Sequence, residues 1–238
     1  MAILNILYKD YIEISDKISI VIPTVGEVLD NESAYYTLVS LLTAMPIDYM
    51  VLLDDMGLDF SEMNEYDLFV SLFPYVKTIK ETNMIFKDLD LSKFHLASNT
   101  EDGTTAYIDV ENDIVIDRRT HALIAAAIRK IHHIKKDIRN PANKEAKEYM
   151  LEVARRKARR RSRQQRGSQI EPLIVAMVNS PEFKYNFETV RNMSIYQFNE
   201  SVSQVVKRVD YGNKMHGIYS GTIKPTDISK DDLNWLVH

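Results

Sequence analysis

From Tyr11 to Pro23 apolar and polar residues alternate, with Tyr-Ile-Glu-Ile before and Ile-Ser-Ile-Val-Ile after the polar Ser15-Asp16-Lys17. A period of two is that of a strand with one buried face, and the polar break predicts a short hairpin. The period then lengthens. Thr24-Val-Gly-Glu27 has capping-box spacing, so a helix should open there. Tyr35, Leu38, Val39 and Leu42 share one side of a helix from about Glu32 to Ala44. Pro46 suits a first helical position and Gly57 a stop, which gives a helix over Pro46–Met56. Leu68, Phe69 and Leu72 are the apolar face of another over Asn64–Phe73.

The helical period is lost between Met84 and Asp117. Short strands are expected near Phe94–Ala97, Thr105–Asp109 and Ile114–Ile116, with turns at Asn99–Gly103 and Glu111–Asp113. Helix resumes at Arg118. Leu123, Ala127, Ile131, Ile134 and Ile138 form one stripe that Asn140-Pro141 should end. A further stripe, Ala146, Met150 and Val153, persists to about Ala154, and no large apolar residue follows Ala158 until Ile170. Arg159–Arg166 therefore has no face to bury and is expected to be an exposed helix end or a hinge. Ser168-Gln-Ile-Glu171 and Ser194-Ile-Tyr-Gln197 are two more capping boxes. The second precedes Ile195, Phe198, Val202, Val205 and Val209, a three–four alternation that suits packing along another helix.

The fold class predicted is α+β and mostly α-helical, a small antiparallel sheet between two helical regions, with a long basic helix. Four segments follow: an acidic hairpin plus helices (1–82), the small sheet (83–117), a basic helical segment (118–166) and a C-terminal helical region (167–238).

Charge sharpens this division. Residues 1–117 carry 6 Lys/Arg against 22 Asp/Glu, and residues 118–238 carry 24 against 12, although the whole chain has a net charge of only −4. The basic residues are densest at Arg155, Arg156, Lys157, Arg159, Arg160, Arg161, Arg163 and Arg166. Such asymmetry points to an anionic partner, protein or nucleic acid, or to a solvated helix leaning on the acidic half. No aromatic residue lies between Arg155 and Arg166 to stack on a base, so any nucleic-acid contact should be weak and non-specific.

Composition narrows the chemistry. Apolar residues make up 45%, enough for a core, and 7 Gly and 7 Pro argue against a linker-rich chain. Cysteine is absent, which removes disulfides, thiolate metal sites and a cysteine nucleophile. The chain does not open with a signal-peptide pattern, and no apolar run approaches the ~20 residues of a membrane span. Asp54, Asp55 and Asp59 cluster beside Gly57, but without calcium-loop spacing. His132 and His133 are adjacent and project about 100° apart, so a regular helix cannot aim both at one metal. Phosphate-loop, dinucleotide-binding and nucleophile-elbow motifs are absent. Neither cofactor nor metal is expected, and no catalytic residue can be named.

Four passages resemble proteins of the structural-gene modules of tailed bacteriophages, tail assembly chaperones in particular. They are Ile18-Ser-Ile-Val-Ile-Pro-Thr-Val-Gly-Glu27, Met45-Pro-Ile-Asp-Tyr-Met-Val-Leu-Leu-Asp-Asp55, Met193-Ser-Ile-Tyr-Gln-Phe-Asn-Glu200 and Asp232-Leu-Asn-Trp235. The resemblance implies a non-enzymatic tail assembly factor or minor structural protein. It would bind another phage structural or tail protein through helical faces, in the host cytoplasm or in the virion. The basic stretch departs from the small acidic chaperones of that group. The alternative is a nucleic-acid-binding accessory protein using residues 118–166.

Overall fold

The computed structural model describes residues 5–99, 103–162, 167–229 and 235–236, with side chains in the second stretch as far as residue 160. The chain is α+β and mostly helical, with two small antiparallel sheets. In chain order the elements are β1 (Tyr11–Ser15), β2 (Ile18–Val21), α1 (Val25–Asp30), α2 (Glu32–Leu42), α3 (Met50–Asp55), α4 (Glu65–Val76), β3 (His95–Ser98), β4 (Thr105–Asp109), β5 (Ile114–Ile116), α5 (Arg118–His132), α6 (Lys144–Ser162), α7 (Glu171–Val178), α8 (Phe187–Val190) and α9 (Ile195–Tyr219). They form two compact units. One comprises Met1–Pro23 with Asp30–Ser168, the other Thr24–Leu29 with Gln169–His238.

In the first unit the predicted hairpin forms. Tyr11 pairs with Val21 and Ile12 with Ile20, and Ile12, Ile18 and Ile20 are buried. The second sheet has the order β3-β4-β5, and β4 and β5 have the predicted bounds. Asp109 closes the β4–β5 turn by accepting from the backbone and side-chain amides of Asn112, while Asp113 takes a left-handed φ of 52°. Lys77, the C-cap of α4, donates to the Phe94 carbonyl, and the Tyr66 hydroxyl donates to the Thr105 and Ile116 carbonyls. These bonds fasten the sheet to α4, whose side chains Phe69 and Phe73 pack on Tyr107.

Three helices of the first unit differ from expectation. The Pro46–Met56 segment is a 3-10 helix over Pro46–Tyr49 followed by the short α3, not one helix; the other two differ for a tertiary reason. Asn64 caps α4, accepting from the Tyr66 and Asp67 amides. The helix then continues past Phe73 through Pro74 to Val76. Proline has no N–H for the carbonyl four residues back, which would leave Val70 without a donor. The Tyr107 hydroxyl of β4 donates to that carbonyl at 2.9 Å. The second of these is in α5. Asp117 caps it, and His121, Ile124, Ile128 and Ile131 are buried against its neighbours. It stops at His132, because His133 turns left-handed (φ 53°), well short of Asn140. Ile134 and Ile138 leave the stripe and are exposed. The early stop lets Lys136 reach Glu65 at 2.5 Å. The basic stretch is thus two helices, α5 and α6, with the break at His133 rather than at Asn140-Pro141.

In the second unit, the Thr24 capping box forms: the Thr24 amide donates to Glu27 Oε2 and the Glu27 amide to Thr24 Oγ1. The Val25 amide donates to the Met193 carbonyl and the Gly26 amide to that of Arg191. A Cβ on Gly26 would lie 3.1 Å from that Arg191 oxygen, so the close approach favours glycine here. The Ser194 box forms as expected and opens α9. The helix α7 starts at Glu171, with Ile170 at its N-cap position and Pro172 next. At the far end of α9 the Thr222 amide bonds to Gly217 and the Gly221 amide to Ile218, with Gly221 at φ 76°, a Schellman closure.

A paired substitution checks the Pro74 argument. Tyr107→Phe strands a buried carbonyl and should destabilise the protein by about 1–3 kcal/mol in urea titration. Pro74→Ala, which restores the missing N–H, should recover much of that loss. If Tyr107→Phe is neutral, or if Pro74→Ala gives no recovery, the Tyr107–Val70 bond does not sustain the helix.

Candidate functional site

The helix α6 carries the densest positive charge. Its composition, rich in Ala, Glu, Lys and Arg, favours helix throughout. Asn143 accepts from the Ala146 amide at the start. One turn on, Lys147 meets Asp59 at 2.5 Å and lies over the Phe60 ring. Hydrogen bonds from Lys147 and from Ser61 hold the Asp59 carboxyl down at about 2. Leu151 is the buried residue of the middle, packed with Ile47, Leu53 and Phe60, and Met50 and Met150 lie beside it. Arg155 then bonds both Asp54 (2.7 Å) and Asp55 (2.6 Å), and these bonds raise its pKa. The acidic cluster of α3 and its following turn is therefore the counter-charge of α6. Among the described residues no group of His, Asp or Glu could hold a metal ion.

Beyond Arg155 the helix leaves this support. Arg156 reaches back to Glu152 on its own helix. Lys157, Ala158, Arg159 and Arg160 are exposed. Of the candidate residues, Arg155 is thus engaged inside the unit and Arg156 along the helix, whereas Lys157, Arg159 and Arg160 face outward. The side chains of Arg161, Arg163 and Arg166 lie outside the described residues. The sequence names the cations but not the groove beside them, which Met150, Val153 and Ala158 line from α6 and Met50 and Val51 from α3. Its second wall comes from α3 and the turn before it, about a hundred residues away, where Met50 and Val51 gave no distinguishing signal.

The remaining candidates are accounted for by packing. His121 is 2% exposed, stacked on Phe69 with ring centres 4.1 Å apart. His132 is half-buried and shares a 2.9 Å hydrogen bond with the Tyr35 hydroxyl. Burial pushes the pKa of each down to about 4; for His132 the charge of His133 adds to this. In the second unit the α9 stripe is partly covered: Ile195 and Phe198 are fully buried, Val202 and Val205 are half-buried, and Val209 is 45% exposed. Trp235 rests on the same helix, its carbonyl accepting from Gln204 and its ring under the Arg208 guanidinium. Among the described residues no single helix is long and apolar enough to cross a membrane.

The histidines give a pH dependence. Both folded values lie below the ordinary 6.5, so between pH 6.5 and about 4 the unfolded chain binds protons that the folded one refuses. Their stabilisation is complete above about pH 6.5 and is lost as the pH falls through that window, a few kcal/mol in sum by the linkage relation, less for the part-exposed His132. Urea titrations at a series of pH values should show this decline, and His132→Gln should flatten it. A curve level from pH 7 to 4.5 would rule out buried neutral histidines.

The comparisons with known proteins bear on the C-terminal part. No curated protein and no solved structure matches the chain. Residues 161–238 match the family model described as the YomV second domain, so this third of the chain is similar to a phage-derived family and the match suggests a phage protein.

Proposed function

We propose that this is a non-enzymatic phage protein, a tail-assembly-chaperone-like factor or a minor structural protein, that binds another phage protein through the outer end of α6. It acts in the host cytoplasm during assembly, with retention in the virion as the alternative. The observation that carries the reading is the change along α6. Up to Arg155 the helix is anchored by Lys147–Asp59, Leu151 and Arg155–Asp54/Asp55; after it come exposed cations with no buried apolar residue. Charges that stabilise the fold little are suited to steering an acidic partner into place. The phage-derived match supports the setting.

The test is co-expression with the products of neighbouring phage genes, followed by co-purification. Replacing Arg159, Arg160, Arg161 and Arg163 with Gln should weaken the association about tenfold or more and change stability by less than about 0.5 kcal/mol. Undiminished association would overturn the reading. Tight binding of one nucleic-acid sequence over scrambled competitors at physiological salt would replace it with the nucleic-acid alternative.

A further inference from the structure

We propose that the cleft between α9 and the Pro181–Tyr185 turn is a recognition site for a tryptophan side chain. Its resident ligand is the chain's own Trp235, a releasable plug that any other tryptophan-bearing segment must displace. This goes beyond the reading of α6. Both walls and the plug lie within the second unit, and within the residues that match the YomV second domain model.

The walls are built without the indole. One is a single face of α9: Ser201, Gln204, Val205 and Arg208 recur at spacings of three and four and so stack along two turns, about 10 Å of helix. The other is the turn after α7. Its shape is set by the Phe183 amide, which donates to the Ser180 carbonyl, and by the Ser180 hydroxyl, which donates to Glu182. Phe183 is the buried floor, edge-on to Phe198 of α9 with ring centres 6.4 Å apart, and Tyr185 packs on it at 5.3 Å. The stripe on α9 has the spacing for another helix, yet at Val205 the neighbour in the cleft is Trp235.

The contacts select a tryptophan. The Arg208 guanidinium carbon lies over the indole, 4.8 Å from its centre, and of all side chains tryptophan offers a cation the most attractive face. One turn earlier on the helix, Gln204 Nε2 donates to the Trp235 carbonyl at 3.3 Å. The ring and the backbone of one residue are thus read by two side chains of one helix face. The hold is nevertheless loose. Gln204 and Arg208 are exposed, Trp235 is half-buried, and Leu236 beside it is 69% exposed. A volume of about 580 Å³ stays open next to the indole. A tryptophan of the core would fill its site, as Phe183 does; this one occupies a space that can admit and release it.

Trp235 is the only tryptophan, so the intrinsic fluorescence of the full chain reports this site alone. Its emission should be blue-shifted, and its quenching by acrylamide about twofold weaker or more, relative to a free peptide of residues 229–238. Arg208→Ala, at an exposed helix position, should move both toward the peptide's values while the melting temperature stays put. The same peptide, labelled with fluorescein and followed by anisotropy, then probes the vacated cleft. It should bind the Trp235→Ala chain about tenfold more tightly or better than the wild type, where the tethered resident competes at a roughly millimolar effective concentration. The peptide with leucine in place of tryptophan should bind neither chain. Native quenching equal to that of the peptide, no saturable binding to Trp235→Ala, equal affinity for the two chains, or undiminished binding of the leucine peptide would overturn the proposal. So would a docked signal that is lost on dilution, because the tryptophan would then come from a second copy. If Trp235→Ala does not fold, the indole belongs to the core and the plug is likewise overturned.

Discussion

The Glu65 carboxylate is held almost out of water between two cations from the basic half of the chain. Arg129 Nη2 lies 2.7 Å from one of its oxygens and Lys136 Nζ 2.5 Å from the other. Glu65 and Arg129 side chains are 14% and 10% exposed, so neither ion is hydrated in full. Burial alone would raise the carboxyl; the hydrogen bonds from Lys136 and Arg129 outweigh it and hold the group below the usual glutamate range. The same Arg129 nitrogen donates to the Thr43 carbonyl at the end of α2, while its buried Nε finds no partner among the described residues. Such an arrangement is most sensitive to the loss of Glu65, because Arg129 is then left buried without a counter-ion, whereas without Arg129 the carboxylate keeps Lys136. It ties α2, α4, α5 and the turn after α5 together, and it sets where the chain must leave α5 for α6.

The rest of the charge split follows the same logic at lower burial. Asp54 and Asp55 sit in the last turn of α3, where the unpaired carbonyl ends already make carboxylates unwelcome. Arg155 relieves that repulsion and, with Lys147 on Asp59, fixes both ends of the α6 contact around Leu151. An acidic half and a basic half are therefore first each other's counter-charge. What remains positive after these pairings is concentrated beyond Arg155. That surplus is the basis of the proposed partner surface.

Local signals were legible in the sequence. The Tyr11–Pro23 alternation, the turn chemistry around Asp109–Asp113 and the boxes at Thr24 and Ser194 each depend on residues a few positions apart, and each forms. What escaped the sequence depends on distant partners. The continuation of α4 through Pro74 needs Tyr107, the stop at His133 lets Lys136 reach Glu65, and Thr24–Leu29 joins the second unit through Met193 and Arg191. The site divides the same way. Its cations could be read from the sequence, but Arg155 could not be separated from its neighbours without knowing that Asp54 and Asp55 face it. Nor could the groove be found without the α3 wall.

The most direct test of this account is a double-mutant cycle on Glu65 and Arg129, read by urea denaturation at pH 7. Glu65→Gln should destabilise the protein by about 3 kcal/mol or more, since it strands the buried Arg129, and Arg129→Met should cost less, since Lys136 still pairs Glu65. The double variant should lose less than the two single losses together, by about 1 kcal/mol or more. Single losses below about 1 kcal/mol that simply add in the double variant would contradict it, because the two halves would then not be joined through their charges.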